Sequence, residues 1–193
     1  MSNFKLTDFI SVQKNVIPKD VCEKIIKDTE NITWSKHRWY DPEEDKSTSF
    51  EDKELDVLFP PADISQMVFK YVTEQFGKYG DLCKPLSTET DYSHTISQCC
   101  GIRLNRYNTN TLMRHHFDHI HSLFDGKQKG IPALSMIGIL NEEYTGGELT
   151  FFDDYTVPTN TGDIIVFPSC FLYPHTIKEV TSGTRYSFVS WAW

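Results

Sequence analysis

The sequence predicts a mainly β, α+β fold: a β-sandwich or jelly roll with helices packed on one outer face. Three observations predict it. Two segments of helical period come early, short strand-like runs fill the chain after about residue 93, and turn signals separate those runs. No internal repeat is present.

The first helix is expected over residues 18–32, where Val21, Cys22, Ile25 and Ile26 share a face. The second is expected over 62–76, with Ile64, Met67, Val68, Tyr71, Val72 and Phe76 on one side. Pro61 stands just before it and Gly77 is placed to end it. Between the helices, residues 34–58 read as a short strand and then a polar, acidic loop. The later runs CCGIRLNRY, ALSMIGILN, ELTFF, DIIVF and RYSFVSWAW are rich in β-branched and aromatic residues. Turns are expected at 108–110, 125–126, 146–147 and 161–163. A chain of 193 residues suits a single domain. Within it, 1–92 is expected to form helical support with the acidic loop, and 93–193 the β core.

Composition narrows the function. Hydrophobic residues are 39% and charged residues 24%, as in ordinary globular chains. No apolar run approaches the roughly 20 residues that cross a bilayer. The N-terminus lacks a basic start followed by an apolar block, so no secretory leader is expected. Five cysteines, an odd number with no CxxC pair, fit free thiols in a reducing, cytoplasmic setting. Adjacent Cys99 and Cys100 read as small residues of a buried strand. The net charge is −8, and residues 41–56 hold eight acids against two lysines, leaving only −2 for the rest. No basic stripe follows a phosphate backbone, which argues against a nucleic-acid partner.

The chemistry concentrates in His116-Phe117-Asp118. In a strand, residues i and i+2 share a face, so His116 and Asp118 can reach one cation while Phe117 points away. His175, just past the strand-like DIIVF run, is the candidate third ligand. Two imidazoles and one carboxylate form the facial triad of non-haem Fe(II) oxygenases, which leaves three open positions. No thiolate stands at zinc-site spacing. Against this, His-x-Asp is common by chance, and His115, His119 and His121 crowd the same segment. Arg185 and Ser187 form a second i, i+2 pair. A guanidinium fork takes a carboxylate in bidentate fashion and a neighbouring hydroxyl adds a third hydrogen bond. A structural salt bridge is the alternative for Arg185; beside a triad, the cosubstrate 2-oxoglutarate (2OG) is preferred.

From Tyr107 to Trp193 the chain resembles the prolyl 4-hydroxylase-like branch of the 2OG and Fe(II)-dependent dioxygenases. RHHFDH, LNEEYTGGELTFF, PTNTGDIIVFP, the histidine of YPHTIKEV and TSGTRYSFVSWAW carry the likeness. The resemblance implies a double-stranded β-helix, a cupin-like jelly roll, with the N-terminal helices on one sheet. It implies that His116, Asp118 and His175 hold iron and that Arg185 binds the far carboxylate of 2OG. Tyr107 and Trp191 then line the cosubstrate pocket with Ser187. O2 is the second cosubstrate, and ascorbate an accessory reductant. Oxygen-sensing relatives place a tyrosine where this chain has Ile139, so a hydroxyl must come from Ser187 or Thr150. The implied reaction is hydroxylation of a C–H bond, first in a prolyl or other residue of a peptide or protein. A free amino acid or small metabolite is the alternative substrate, and a catalytically silent binding module the alternative of another class. For the acidic loop 41–56 two readings stand: a solvated surface loop without a role, or, as the resemblance implies, a substrate lid.

Overall fold

A computed structural model describes all residues except 1–3, 42–45, 50, 88, 93–95 and 119–131. In chain order, β1 (Ser11–Gln13) precedes α1 (Lys19–Thr29), followed by β2 (Ser35–Lys36), β3 (Trp39–Asp41), β4 (Lys46–Thr48) and β5 (Asp56–Leu58). After α2 (Ala62–Cys83) come β6 (Arg103–Tyr107), β7 (Met113–His116), β8 (Leu134–Ile139) and β9 (Tyr144–Gly146). The chain closes with β10 (Leu149–Phe151), β11 (Tyr155–Val157), β12 (Ile164–Pro168), β13 (His175–Ile177), β14 (Val180–Gly183) and β15 (Arg185–Ala192).

The strands form two main antiparallel sheets. The larger has the order β1-β12-β8-β15-β6-β5-β2 and the smaller β11-β10-β13-β7. Their inner faces share one apolar cluster, which includes Ile137, Ile139, Ile165 and Phe167 from the large sheet and Leu149, Phe151, Val157 and Ile177 from the small one. This is the expected double-stranded β-helix. The outer face of the large sheet packs on both helices. Cys22 and Ile25 of α1 and Ile64, Val68, Val72 and Phe76 of α2 meet Leu104, Met136, Ile164, Val166 and Phe188. Alternation along each strand feeds both layers, because successive side chains point to opposite faces. In β15, Phe188, Ser190 and Ala192 turn to the helices while Arg185 and Ser187 turn inward.

Each of the five predicted runs contains a strand: β6, β8, β10, β12 and β15. The second helix departs from expectation: it does not end at Gly77 but continues to Cys83. Tyr79 extends its buried stripe, and Leu82 and Cys83 also pack on the helix–sheet core. That packing outweighs the roughly 1 kcal/mol that a mid-helix glycine costs. The acidic segment is also more structured than its composition suggests. β3 and β4 form a hairpin, and Glu54, Leu55 and Asp56 are buried. Asp56 accepts from Arg106 Nη2 (2.9 Å) and Asn108 Nδ2 (2.9 Å), with Lys36 Nζ 3.0 Å away. The turn of this hairpin, 42–45, lies outside the described residues, as does the turn expected at 125–126. Cys99 and Cys100 are half-buried rather than buried, and all five cysteines are free thiols. No helix among the described residues is long and apolar enough to cross a membrane.

Gly138 sits opposite Phe188 on β15 and Ile164 on β12. A Cβ there would lie 2.1 Å from the Phe188 ring, which is fully buried. Gly138→Ala should therefore destabilise the protein by about 1–3 kcal/mol, the usual cost of overpacking, and thermal denaturation will measure it. Adding Phe188→Leu should restore part of the loss. A Gly138→Ala protein with an unchanged or higher melting temperature would contradict this packing.

Candidate metal and cosubstrate site

β7 and β13 are antiparallel neighbours in the small sheet, and His116 and His175 are register partners. Their rings consequently face one another with centroids 4.3 Å apart. β7 ends at His116, so Asp118 stands in a bend rather than in the strand. It still turns to the same side: His116 Nε2 lies 3.4 Å from Asp118 Oδ1. Phe117 is 44% exposed, whereas Asp118 is 9% and His175 3% exposed. One ligand atom from each of His116, Asp118 and His175 lies within 4.8 Å of the others. This is the one such group among the described residues. His115 is exposed, and His119 and His121 lie outside the described residues.

Both imidazoles are oriented by backbone carbonyls. His116 Nδ1 lies 2.8 Å from Arg114 O, and His175 Nδ1 lies 3.1 Å from Tyr173 O. A proton on each Nδ1 makes these hydrogen bonds and leaves both Nε2 lone pairs for a cation, the usual arrangement behind metal-binding histidines. Phe151 and Phe167 wall His175, with ring centroids 5.4 and 4.9 Å away. Burial, reinforced by the neighbouring His116, pushes the His175 pKa down to about 4. Burial also pushes His116 down, but its hydrogen bond to Asp118 and that carboxylate's charge outweigh this and raise it. Burial pushes Asp118 up, yet the hydrogen bond from His116 and the pull of His175 hold it well below the usual carboxylate range. Without metal, His116 thus holds a proton more readily than an ordinary imidazole, and a cation would compete with that proton. Two neutral imidazole donors and one carboxylate fit Fe(II) in a site with open positions.

Arg185 is 1% exposed. It opens β15 opposite Tyr107, whose ring centroid lies 5.1 Å from the guanidinium carbon. Arg185 Nη1 donates to Ser187 Oγ at 2.9 Å, while the buried Nε and Nη2 have no hydrogen-bond partner among the described residues. A buried cation with two idle donors is costly unless an anion completes it. Gly147, at φ +67°, makes room, since a Cβ there would lie 3.0 Å from Arg185 Cδ. Ile139 is the register partner of Ser187, so the hydroxyl beside Arg185 comes from β15. Thr150 lies between the inward Leu149 and Phe151 and bonds instead to Thr156 Oγ1 at 3.1 Å. Trp191 lies at the far end of β15, with the Arg103 guanidinium carbon 5.3 Å from its ring.

Sequence reasoning missed Arg103 and Asn105. Counting back by twos from Tyr107 along RLNRY would have placed both on the inner face. A cavity of about 350 Å³ between α2 and residues 96–99, lined by Phe76, Tyr79, Cys83 and Leu134, lies on the helix side of the large sheet. It is separate from the triad.

Residues 102–193 match the sequence model of the 2OG-Fe(II) oxygenase superfamily. No curated protein matches by sequence. The fold is similar to that of a prolyl-4-hydroxylase from Pseudomonas putida: TM-score 0.64, 15% identity, covering 95% of this chain and 91% of that one. A Trichoplax adhaerens prolyl hydroxylase, solved with a hypoxia inducible factor oxygen degradation domain peptide fragment, superposes at 0.69 with 12% identity, over 97% of this chain and 84% of that one. A viral collagen prolyl hydroxylase from Paramecium Bursaria Chlorella virus-1, in its 2OG complex, does so at 0.62 with 14% identity, over 95% and 94%. At these identities the likeness is one of fold.

The protonation pattern is testable in metal-free protein. The folded pKa of His175 lies below the ordinary 6.5, so its contribution to stability is complete above that value. It should be lost as pH falls from about 6.5 to about 4, where the fold must charge a buried imidazole. Chelator-treated protein melted across this range should show that loss, and His175→Asn should flatten it. Identical slopes in the two proteins would reject the buried neutral histidine.

Proposed function

We propose that this chain, whose residues 102–193 belong to the 2OG-Fe(II) oxygenase superfamily, hydroxylates a C–H bond using Fe(II), 2OG and O2. The preferred substrate is a prolyl or other residue in a peptide or protein. The observation that carries the reading is the pairing of an N2O ligand set with a buried, half-unpartnered arginine on the facing sheet.

Fe(II) bound with 2OG and O2 supplies the oxidising chemistry, converting 2OG to succinate and CO2 while a hydroxyl enters the substrate. The chain's own residues prepare that site. His116 and His175 present Nε2 because their Nδ1 atoms are engaged by carbonyls. Asp118 contributes the negative ligand and stays ionised at neutral pH. Arg185 receives the far carboxylate of 2OG through its idle Nε and Nη2, with Ser187 holding the third nitrogen. Tyr107 covers the guanidinium, and Ile137, Ile139 and Phe151 keep water from the enclosed end. A catalytically silent module is disfavoured, since it has no use for a buried arginine with two donors left without acceptors among the described residues. A free amino acid or small metabolite is the second substrate reading, and Arg103, whose charge reaches the triad, favours one with an acid group.

Asp118→Ala should abolish succinate release and weaken Fe(II) binding sharply, because the charged ligand is lost. Metal content and 2OG decarboxylation measure both, and full activity would refute the ligand assignment. Arg185→Gln should raise the 2OG concentration needed for half-maximal turnover by about 10²-fold while iron still binds. An unchanged 2OG requirement would make Arg185 a purely structural residue.

A further inference from the structure

Arg103 is the second arginine on the inner face of the large sheet, and the cosubstrate reading leaves it without a task. It pairs in register with Val189, four residues along β6 from Tyr107. At roughly 3.3 Å per residue, that puts its backbone about 13 Å from the register pair Tyr107–Arg185. Its charge is felt by both His116 and Asp118, so it stands on the metal side of the pocket. Its guanidinium is held in place from two directions. Nε donates to Asn105 Oδ1 at 3.1 Å, and the guanidinium carbon lies 5.3 Å from the Trp191 ring. That bond to Asn105 is its one hydrogen bond among the described residues, and no carboxylate forms an ion pair with it. Trp191 adds a buried Nε1–H with no acceptor. This side of the pocket therefore offers the two terminal nitrogens of a half-buried Arg103, which have no acceptor among the described residues, and one buried indole N–H, next to a metal set that already contains its own carboxylate.

Resting on the oxygenase reading, we infer that Arg103, braced by Asn105 and Trp191, receives a carboxylate of the primary substrate next to the carbon that is hydroxylated. The idle Nη1 and Nη2 match a carboxylate's two oxygens, the fork geometry that arginine binds best. The surplus of donors selects an acceptor-rich group and disfavours an amide, whose NH2 would face other donors. The carboxylate can belong to a free amino or other small organic acid, or to an acidic side chain in a peptide. Either source constrains the substrate more tightly than a prolyl ring does. A stacked arginine that only supports Trp191 is the competing explanation, and so is an arginine that serves 2OG itself.

The test is calorimetric titration of protein loaded with Mn(II) and 2OG. One arm uses free amino acids and short carboxylic acids, each beside its amide. The other uses amidated tetrapeptides carrying Asp or Glu, each beside its Asn or Gln counterpart. At least one acid should bind about 10-fold or more tightly than its amide, and the arm in which it appears identifies the source. Arg103→Gln should reduce that ratio to about 2 or less while amide affinity stays, and Arg103→Lys should recover part of it. Three results would overturn the inference: no acid preference in either arm, a preference that survives Arg103→Gln, or an equal loss of 2OG affinity in that variant. Wild-type protein that takes up neither Mn(II) nor 2OG would instead defeat the oxygenase reading, and this one with it.

Discussion

The register of β15 between β6 and β8 is the constraint on which the rest depends. All eight residues of β15 are paired, Arg185–Val189 with β6 and Ser187–Ala192 with β8, so that Ser187, Phe188 and Val189 are held on both sides. Side chains alternate, so one register sends Arg185 and Ser187 inward and Phe188 and Ala192 to the helices. A slip of one residue would exchange the two sets. Phe188 fills the space above Gly138, where no other residue type leaves room, and this pins the ladder. Arg185 inherits its position from that apolar contact on the opposite face of the sheet. The site is thus set by core packing at one remove.

The inner face then carries an electrostatic imbalance that an isolated protein has no reason to keep. Arg185 and Trp191 hold buried donors without acceptors among the described residues. Such groups reduce stability until a partner arrives, and they persist only where surrounding structure fixes them. The fixing is visible. The two main sheets share an apolar cluster, and the helices cover the outer face of the larger one. At one edge of the large sheet, β1 is anchored because buried Asp163 accepts from Lys14 Nζ (2.8 Å) and the Asn15 and Asn160 amides. At the other edge, β5 and β2 extend it and Asp56 pairs with Arg106. Both edges of the large sheet are therefore the short strands β1 and β2, from chain that precedes the β core, and short edge strands offer little to unwanted pairing.

The acidic segment looks different once folded. Glu54 and Asp56, two of its eight acids, are buried with His37 on one side and Lys36 and Arg106 on the other. Their charge is spent inside the protein. The hairpin of β3 and β4 reaches the metal strand, with the Arg114 guanidinium carbon 3.7 Å from the Trp39 ring centroid. Arg114 precedes His116 by two residues, so this contact joins the segment to the edge of the site. A lid role for the segment stands as a proposal that begins from this contact, with less free charge than composition implies.

By itself the sequence determined the elements whose signal is local. Amphipathic period placed both helices, and β-branched runs placed β6, β8, β10, β12 and β15. The i, i+2 rule joined Arg185 to Ser187, because side-chain direction in a strand needs no distant partner; it also pointed to His116 and Asp118, although β7 ends at His116 and a bend brings Asp118 to the same side. Only the tertiary structure decided what depends on distant chain. The length of α2 past Gly77 came from packing of Tyr79 and Cys83 on the sheet, which local propensity does not register. The short strands β1, β2, β7 and β13 exist through their neighbours, being too brief to show a period. The facing of His116 and His175 required the β7–β13 register, and the isolation of Arg185 required knowing which acids stay away. Arg103 was hidden for the same reason: whether an arginine finds a carboxylate partner depends on distant chain, and among the described residues Arg103 has none.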